Sequence, residues 1–228
     1  MSLYEKAWQA ILTRIDAAAA AAGRNPSEIR LVAVTKSFPP DAIRAAYALG
    51  QRAFGENYVQ EAISKSEALS DLPDIEWHMI GPLQSNKARA AAQRFAWIET
   101  VDRMRIAERL AEMRDPRLPR LDVCVQVNIS GESSKSGVAP QDAVALAEAI
   151  SRLPRLALRG FMGIARAGCD PSAQHEQFGA LRRTFEVAQS RGIRVDTLSM
   201  GMSDDLEAAI AEGSTQVRIG SALFGPRS

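Results

Sequence analysis

Residues 29–36 read IRLVAVTK and are followed by SFPP, a run that ends regular structure. From Ile29 to Thr35 the segment is short, rich in β-branched residues and largely apolar on both faces, without the alternation of a half-exposed strand. A strand of this kind is typical of a parallel sheet covered on both sides. We therefore expect Lys36 to lie where a buried strand ends.

On either side of this strand the chain alternates between helical and strand patterns. A first helix has apolar residues at helical spacing from Leu3 to Ile15 and ends at Gly23. The strand candidates after the first are residues 52–55, IEWHMIG, FAWIETV, LDVCVQVNIS, LALRGFMGI, VDTLSM and QVRIG. This rhythm predicts an α/β fold, a single (β/α)8 TIM barrel with an extra N-terminal helix, as one domain over residues 1–228. An open doubly wound sheet is the alternative.

The composition excludes several classes of protein. The 228 residues carry a net charge of +1, which gives no broad electrostatic surface for nucleic acid or an anionic membrane. The two cysteines, Cys124 and Cys169, show no disulfide pattern, which fits a reducing compartment. The sequence has no stretch of about 20 apolar residues, and its N-terminus is a poor signal peptide. We therefore expect a cytoplasmic protein that binds neither nucleic acid nor membrane.

Lys36 is the most informative polar residue. Most lysines are solvated surface charges, but this one directly follows a strand expected to be buried. Its stem should project into the mouth of the barrel, where such barrels place their active sites. A desolvated lysine loses its proton more easily, and a neutral amine can form a Schiff base with an aldehyde. An ordinary surface lysine stays open as the alternative.

Two glycine–serine loops near the C-terminus predict a phosphate site. In LSMGMSDDLEAAI, Ser203 is placed to cap a helix beginning at Asp204, and Gly201 allows a ligand close to the backbone. In VRIGSALFG, Gly220 and Ser221 repeat the arrangement. Loops that enter helices present N–H groups to anions, and barrels commonly bind phosphate after strands 7 and 8. The plainer interpretation is two good helix starts.

Other polar residues stand at predicted strand ends. They are Glu56, Asn57, His78, Asp102, Asn128, Ser199 and Arg218. The spacing of histidines and cysteines fits no structural zinc site, and no GxSxG, Walker or GxGxxG motif is present. His78, between Trp77 and Met79, fits a packed histidine better than a general base.

Several long blocks carry a resemblance to a known family. LVAVTK, FGENYVQE, EWHMIGPLQSNK, VQVNISGESSKSG and LSMGMSDDLEAAIAEGSTQVRIGSALFG together resemble the YggS/PROSC-type pyridoxal phosphate homeostasis proteins. These are single-domain relatives of the alanine racemase barrel, a fold type III architecture that binds pyridoxal 5′-phosphate (PLP). The resemblance runs from about Ile11 to Gly225. The departures are the GFMGIARAG loop, Phe38 after TKS, and Ser221 in place of a commoner threonine.

The resemblance implies a set of cofactor-binding residues. Lys36 would carry PLP as a Schiff base, Arg218 would face the pyridine nitrogen, and Asn57 and His78 would line the pocket. The residues implied around the phosphate are Ser199, Gly201, Ser203, Gly220 and Ser221. Lys135 of SSKSG matches a further lysine of the family pattern, a secondary docking point for the cofactor. No catalytic residue and no metal ligand is assigned.

Three functions follow as hypotheses. The first is a non-catalytic PLP carrier, a cytoplasmic monomer that buffers PLP and delivers it to PLP-dependent apo-enzymes. It is favoured because arginine cannot protonate the ring nitrogen, and because the chain ends at Ser228, so a racemase's second domain is expected to be absent. Tyr4, Tyr47 and Tyr58 are poor candidates for the missing acid or base. The alternatives are a low-activity PLP-dependent amino-acid racemase and a phosphate-binding barrel in which Lys36 works as in an aldolase.

Overall fold

Eight parallel strands form a closed barrel in the computed structural model, which describes residues 3–132 and 134–225. The strands are β1 (Arg30–Val34), β2 (Ala53–Glu56), β3 (Glu76–Met79), β4 (Trp97–Val101), β5 (Leu121–Val127), β6 (Leu156–Gly163), β7 (Thr197–Ser199) and β8 (Gln216–Ile219). Residues 30–33 of β1 pair in register with residues 216–219 of β8 and close the ring. The barrel prediction is confirmed, and the open doubly wound alternative is wrong. Residues 1–2, 133 and 226–228, which the one-domain prediction also spans, lie outside the described residues.

Helices surround the barrel and connect its strands. They are α1 (Leu3–Ala21), α2 (Pro40–Ala48), α3 (Val59–Ala68), α4 (Ala88–Arg94), α5 (Met104–Met113), α6 (Pro140–Ser151), α7 (Pro171–Ser190), α8 (Leu206–Ala211) and α9 (Ser221–Phe224). Short 3-10 turns lie at Pro26–Glu28 and Ser85–Lys87. The extra helix α1 packs against α8 and α9. Within the described ranges, no helix combines the length and the apolar character needed to cross a bilayer.

One helix start differs from the sequence expectation. Helix α8 begins at Leu206, and Ser203 lies in the turn before it instead of capping it. The Asp205 carboxylate folds back and accepts a hydrogen bond from the Met202 N–H at 2.5 Å. This contact closes the turn, so the helix starts two residues later than the predicted Asp204. Ser203 is thereby left at the edge of the barrel mouth.

The apolar core lies between the strands and the helices, where side chains such as Phe54, Phe161 and Phe178 are fully buried. The inside of the barrel is different, because it holds a column of buried polar side chains. Glu99 of β4 reaches across to Ser199 of β7, which shows that both side chains point inward. Barrel interiors are usually filled with branched apolar side chains, so this polar column calls for a functional explanation.

A layer of charged side chains closes the amino-terminal end of the barrel. The guanidinium groups of Arg30 and Arg159 lie over the Trp97 ring, 5.8 and 5.1 Å from its centroid. Arg159 also pairs with Asp196 at 2.7 Å. With this end closed, the carboxyl ends of the strands are the accessible face of the barrel.

Candidate functional site

A cavity of about 220 Å³ opens at the carboxyl ends of the strands. Its wall contains six of the nine residues proposed from the sequence, Lys36, Asn57, Ser203, Arg218, Gly220 and Ser221, together with Val34, Ile80, Ile164, Met202 and Asp204. Strand β8 brings a guanidinium, and the segments after β1, β2, β7 and β8 bring an amine, an amide and two hydroxyls, to one place. This is where barrels of this type place their active sites.

The other three proposed residues lie outside the cavity wall. His78 and Ser199 are fully buried inside the barrel, beneath Arg218. Gly201 is buried in the turn after β7 with a φ of +97°, a backbone conformation that favours glycine. A Cβ at this position would lie 2.6 Å from the Cβ of Ala209, so glycine is also required for the packing of α8.

Lys36 lies two residues past the end of β1. Strand β1 and Thr35 are buried, whereas Lys36 is half-buried at the cavity wall and Ser37 is exposed. Ser37 has a φ of +66°, which is unusual for a residue with a side chain. The chain therefore turns sharply at Lys36, and this turn directs the lysine to the barrel mouth.

Arg218 projects from β8 into the barrel, with a side chain that is almost completely buried. One terminal nitrogen donates to the Ser199 hydroxyl at 2.6 Å, and the other donates to the Gly163 carbonyl at 3.0 Å. Burial lowers the pKa of Arg218, and the Glu99 and Asp205 carboxylates oppose that shift. Because a guanidinium has five N–H donors, these two bonds fix the group and leave others for a ligand.

Glu99 provides the counter-charge to Arg218. One of its carboxylate oxygens accepts from the Ser199 hydroxyl at 2.5 Å, and the other lies 2.7 Å from Nδ1 of His78. Burial alone would raise the pKa of Glu99, but His78, Arg218 and Ser199 together hold it below its ordinary value. The His78 ring stacks on Trp97, at an interplanar angle of 7°. The column thus connects the barrel floor to the guanidinium at the cavity.

The hydroxyls of Ser203 and Ser221 meet at one edge of the cavity, 3.4 Å apart. Ser221 is the first residue of α9, so its N–H has no carbonyl partner within the helix. Next to it, Gly220 lies close to β1, where a Cβ would be 3.3 Å from the Cβ and carbonyl oxygen of Val34. This edge offers hydrogen-bond donors that suit an anion.

Asn57 is held in place by a close approach of Gly81. A Cβ on Gly81 would lie 2.3 Å from the Asn57 carbonyl oxygen, and the Gly81 carbonyl accepts a hydrogen bond from Thr100 at 2.8 Å.

We expect Gly81→Ala to displace Asn57 and to lower the free energy of unfolding by about 1–3 kcal/mol. Chemical denaturation measures the loss. Gly179→Ala is the control, because its Cβ would meet only the mobile ends of Glu212 and Arg183. A Gly81→Ala variant with the same free energy of unfolding as the wild type would contradict the close approach of Gly81 to Asn57.

A second cavity of about 200 Å³ adjoins the first and shares Asn57, Ile80 and Ile164 with it. Lys135 lies on its wall, in the loop after β5, with Asn128 nearby. The structure therefore places Lys135 next to the Lys36 cavity but not inside it. Its role as a secondary docking point stays a prediction.

The remaining candidates lie elsewhere. Cys124 is fully buried inside the barrel, as its apolar surroundings indicate, and Cys169 is partly exposed. Tyr58 is 66% exposed at the start of α3. Over residues 3–132 and 134–225, no three histidine, cysteine or acidic side chains form a group that could hold a metal ion.

Two sequence comparisons identify relatives of this chain. Residues 8–228 match the family model described as alanine racemase, N-terminal domain. The pyridoxal phosphate homeostasis protein of Pseudomonas aeruginosa is 55% identical over 217 residues, which is 95% of this chain and 93% of the relative.

Two solved structures have the same fold. A protein of unknown function from Bifidobacterium adolescentis superimposes with a TM-score of 0.92 at 36% identity, covering 97% of this chain and 94% of its own. PipY of Synechococcus elongatus, solved with PLP bound, gives a TM-score of 0.81 at 40% identity, covering 92% of this chain and all of its own, 100%.

Proposed function

Because this chain belongs to the alanine racemase N-terminal-domain family, and within it to the pyridoxal phosphate homeostasis proteins, we propose that it binds PLP covalently at Lys36 and keeps it available to other proteins. The observation that carries the proposal is the meeting of Lys36, Arg218, Ser203 and Ser221 around one cavity. The protein acts as a single PLP-binding domain over residues 1–228, and its role is storage and delivery of the cofactor.

The groups around the cavity fit PLP part by part. Lys36 supplies an amine for the aldehyde: it forms a C=N bond with the aldehyde carbon, and the oxygen leaves as water. Ser203 and Ser221 supply hydroxyl donors for the phosphate, and Gly220 lets it approach the backbone. Arg218 supplies N–H donors for the ring nitrogen, and Asn57 closes the cavity wall. His78, Ser199 and Gly201 act from behind the wall, by holding Arg218 and the loop after β7.

Arg218 limits the chemistry that this site supports. When bound, PLP supplies an electron-withdrawing ring, which is strongest when its nitrogen is protonated. A guanidinium donates hydrogen bonds and accepts none, so Arg218 keeps the nitrogen that it faces unprotonated. Racemisation also requires an acid and a base on opposite faces of the substrate. The cavity wall, as far as the structure describes it, contains no tyrosine or histidine. These features support a carrier over an amino-acid racemase.

Two serines provide a test of phosphate recognition. We expect Ser203→Ala combined with Ser221→Ala to raise the dissociation constant of PLP by roughly 10- to 100-fold, because a net contribution of about 0.5–1.5 kcal/mol from each hydrogen bond gives about 1–3 kcal/mol for the two together. Titration of the visible absorption band of lysine-bound PLP measures this change. Pyridoxal, which lacks the phosphate, is the matched control and should bind both proteins equally. An equal loss of affinity for pyridoxal and for PLP would mean that the phosphate binds somewhere other than these two serines.

The carrier role has its own experiment. PLP-loaded protein is mixed with an apo-enzyme that requires PLP, and the activity recovered is compared with that from an equal amount of free PLP. The proposal is supported if PLP bound to the protein restores the activity of the apo-enzyme and the loaded protein itself does not racemise L-alanine. Racemisation at enzymatic rates that is lost in Arg218→Leu would contradict the carrier role and support the amino-acid racemase instead.

The two cysteines bear on the compartment in which the protein works. We propose that it works in the cytoplasm as a monomer, because both cysteines are free thiols, as expected in a reducing compartment. Its partners are PLP and the apo-enzymes that receive it. Sedimentation equilibrium with and without PLP would detect a dimer, which would contradict the monomer.

A further inference from the structure

A buried ion pair lies behind the turn that carries Lys36. The Lys65 side chain of α3 is 7% exposed and that of Glu56 is 0% exposed, and Nζ of Lys65 lies 2.7 Å from Oε1 of Glu56. Glu61, one turn earlier on α3, also lies 2.7 Å from this ammonium group. Burying a lysine with two carboxylates has a large desolvation cost, and a buried ion pair is weak evidence for a role in stability alone. The groups that the cluster holds in place therefore indicate its role.

The cluster binds both peptide groups that flank Lys36. Nζ of Lys65 donates to the Thr35 carbonyl at 2.7 Å, which belongs to the peptide before Lys36. The Ser37 N–H, which belongs to the peptide after Lys36, donates to Glu61 at 2.6 Å. The Thr35 hydroxyl adds a third contact, to Glu56 at 2.7 Å. The main chain on each side of the lysine is thus tied to the same three charged groups.

The bond from Ser37 to Glu61 has a further effect. Ser37 adopts a φ of +66°, a conformation in which a Cβ is crowded and which persists only where the surroundings impose it. Ser37 is exposed, so side-chain packing does not hold it there. The charge-assisted hydrogen bond to Glu61 compensates for the strain, together with the turn bond from the Phe38 N–H to the Thr35 carbonyl at 3.0 Å.

We infer that Glu61 and Lys65 are positioning residues, which hold the strained turn at Ser37 so that Lys36 points into the cavity for attachment of PLP. This inference rests on the proposed function and assigns a role to two residues outside the cavity wall. Glu61 and Lys65 lie outside the wall of the cavity, and they act through the main chain at residues 35 and 37.

The test begins with Glu61→Ala, which removes the acceptor of Ser37 and leaves the Lys65–Glu56 pair intact. We expect the dissociation constant of PLP, followed by the visible band of lysine-bound cofactor, to rise about tenfold. Neutralising the buried pair with Lys65→Met and Glu56→Gln together should give a similar loss. Asp71→Ala is the matched control, because it removes an exposed ion pair between the turn after α3 and Arg44 of α2.

Second substitutions at position 37 separate positioning from general stability. Ser37→Gly added to Glu61→Ala should restore most of the PLP affinity, because glycine adopts a positive φ without a Cβ clash. Ser37→Ala on the same background should not. Affinity of Glu61→Ala equal to that of the wild type, or equal effects of the glycine and alanine substitutions, would overturn the inference alone. A wild-type protein without the visible band would overturn the proposed function and this inference together.

Discussion

Lys36→Ala is expected to abolish the visible absorption band that PLP forms with the protein. The alanine has no amine to bond with the aldehyde, so only the phosphate and ring contacts remain. We expect the dissociation constant of PLP to rise by at least about 100-fold, or roughly 3 kcal/mol. Spectroscopic titration measures the loss. Borohydride reduction followed by peptide mass spectrometry should locate the trapped cofactor on Lys36 in the wild type.

Lys87→Ala is the matched control, because this lysine is exposed in the loop after β3. It should leave the band and the trapped peptide unchanged. A band of normal intensity in Lys36→Ala would mean that another lysine carries the cofactor, and Lys135 in the adjoining cavity would be the first to examine. That outcome would change which lysine carries PLP and would leave the description of the fold as it is.

Removal of the Glu99 carboxylate is expected to have the largest effect on stability. Glu99→Ala removes the stronger of the two carboxylate charges that act on the buried Arg218 guanidinium, and His78 loses its hydrogen-bond partner. Loss of one partner of a buried charged pair lowers the free energy of unfolding by about 3–5 kcal/mol. Urea denaturation at neutral pH measures the change. Glu207→Ala, which breaks an exposed pair with Arg14, should change it by less than about 1 kcal/mol.

The same carboxylate predicts a pH dependence. The pKa of Glu99 is lowered in the folded protein, so the folded state favours its ionised form more than the unfolded state does. Its stabilising contribution is therefore complete above the ordinary glutamate pKa and is lost as pH falls through the lowered, folded value. Glu99→Gln should be less stable than the wild type at neutral pH, and this difference should shrink in acid. A constant difference across that range would contradict the assignment.

The sequence predicted the architecture because β-strand and helix patterns are local. The eight apolar runs and the glycine after α1 each show their structure within a short window, and their alternation is enough to indicate a barrel. The start of α8 could not be read in this way. It depends on the contact of the Asp205 carboxylate with Met202, which competes with the helix start that Ser203 would otherwise favour.

Some residues of the candidate site could likewise be predicted from local sequence, and others could not. Lys36, Arg218 and the glycine–serine loops stand at strand ends, where position alone indicates a place at the barrel mouth. Glu99 could have been found, because a carboxylate within the buried strand WIETV is unusual. Lys65 had no such signal, since ISKSEA reads as an ordinary solvated helix face. Its burial follows from how α3 packs against β2 and against the residues after β1, which is a long-range property.

The pairing of β1 with β8 has a consequence for protein synthesis. Lys36 leaves the ribosome well before Arg218, Gly220 and Ser221, and β8, which emerges after the other seven strands, completes the ring. A growing chain therefore exposes the lysine that we propose as the attachment point before the other proposed binding groups are in place. On the proposed function, we expect PLP to bind after the ring has closed, and bound PLP in turn to favour the closed ring over partly folded chains.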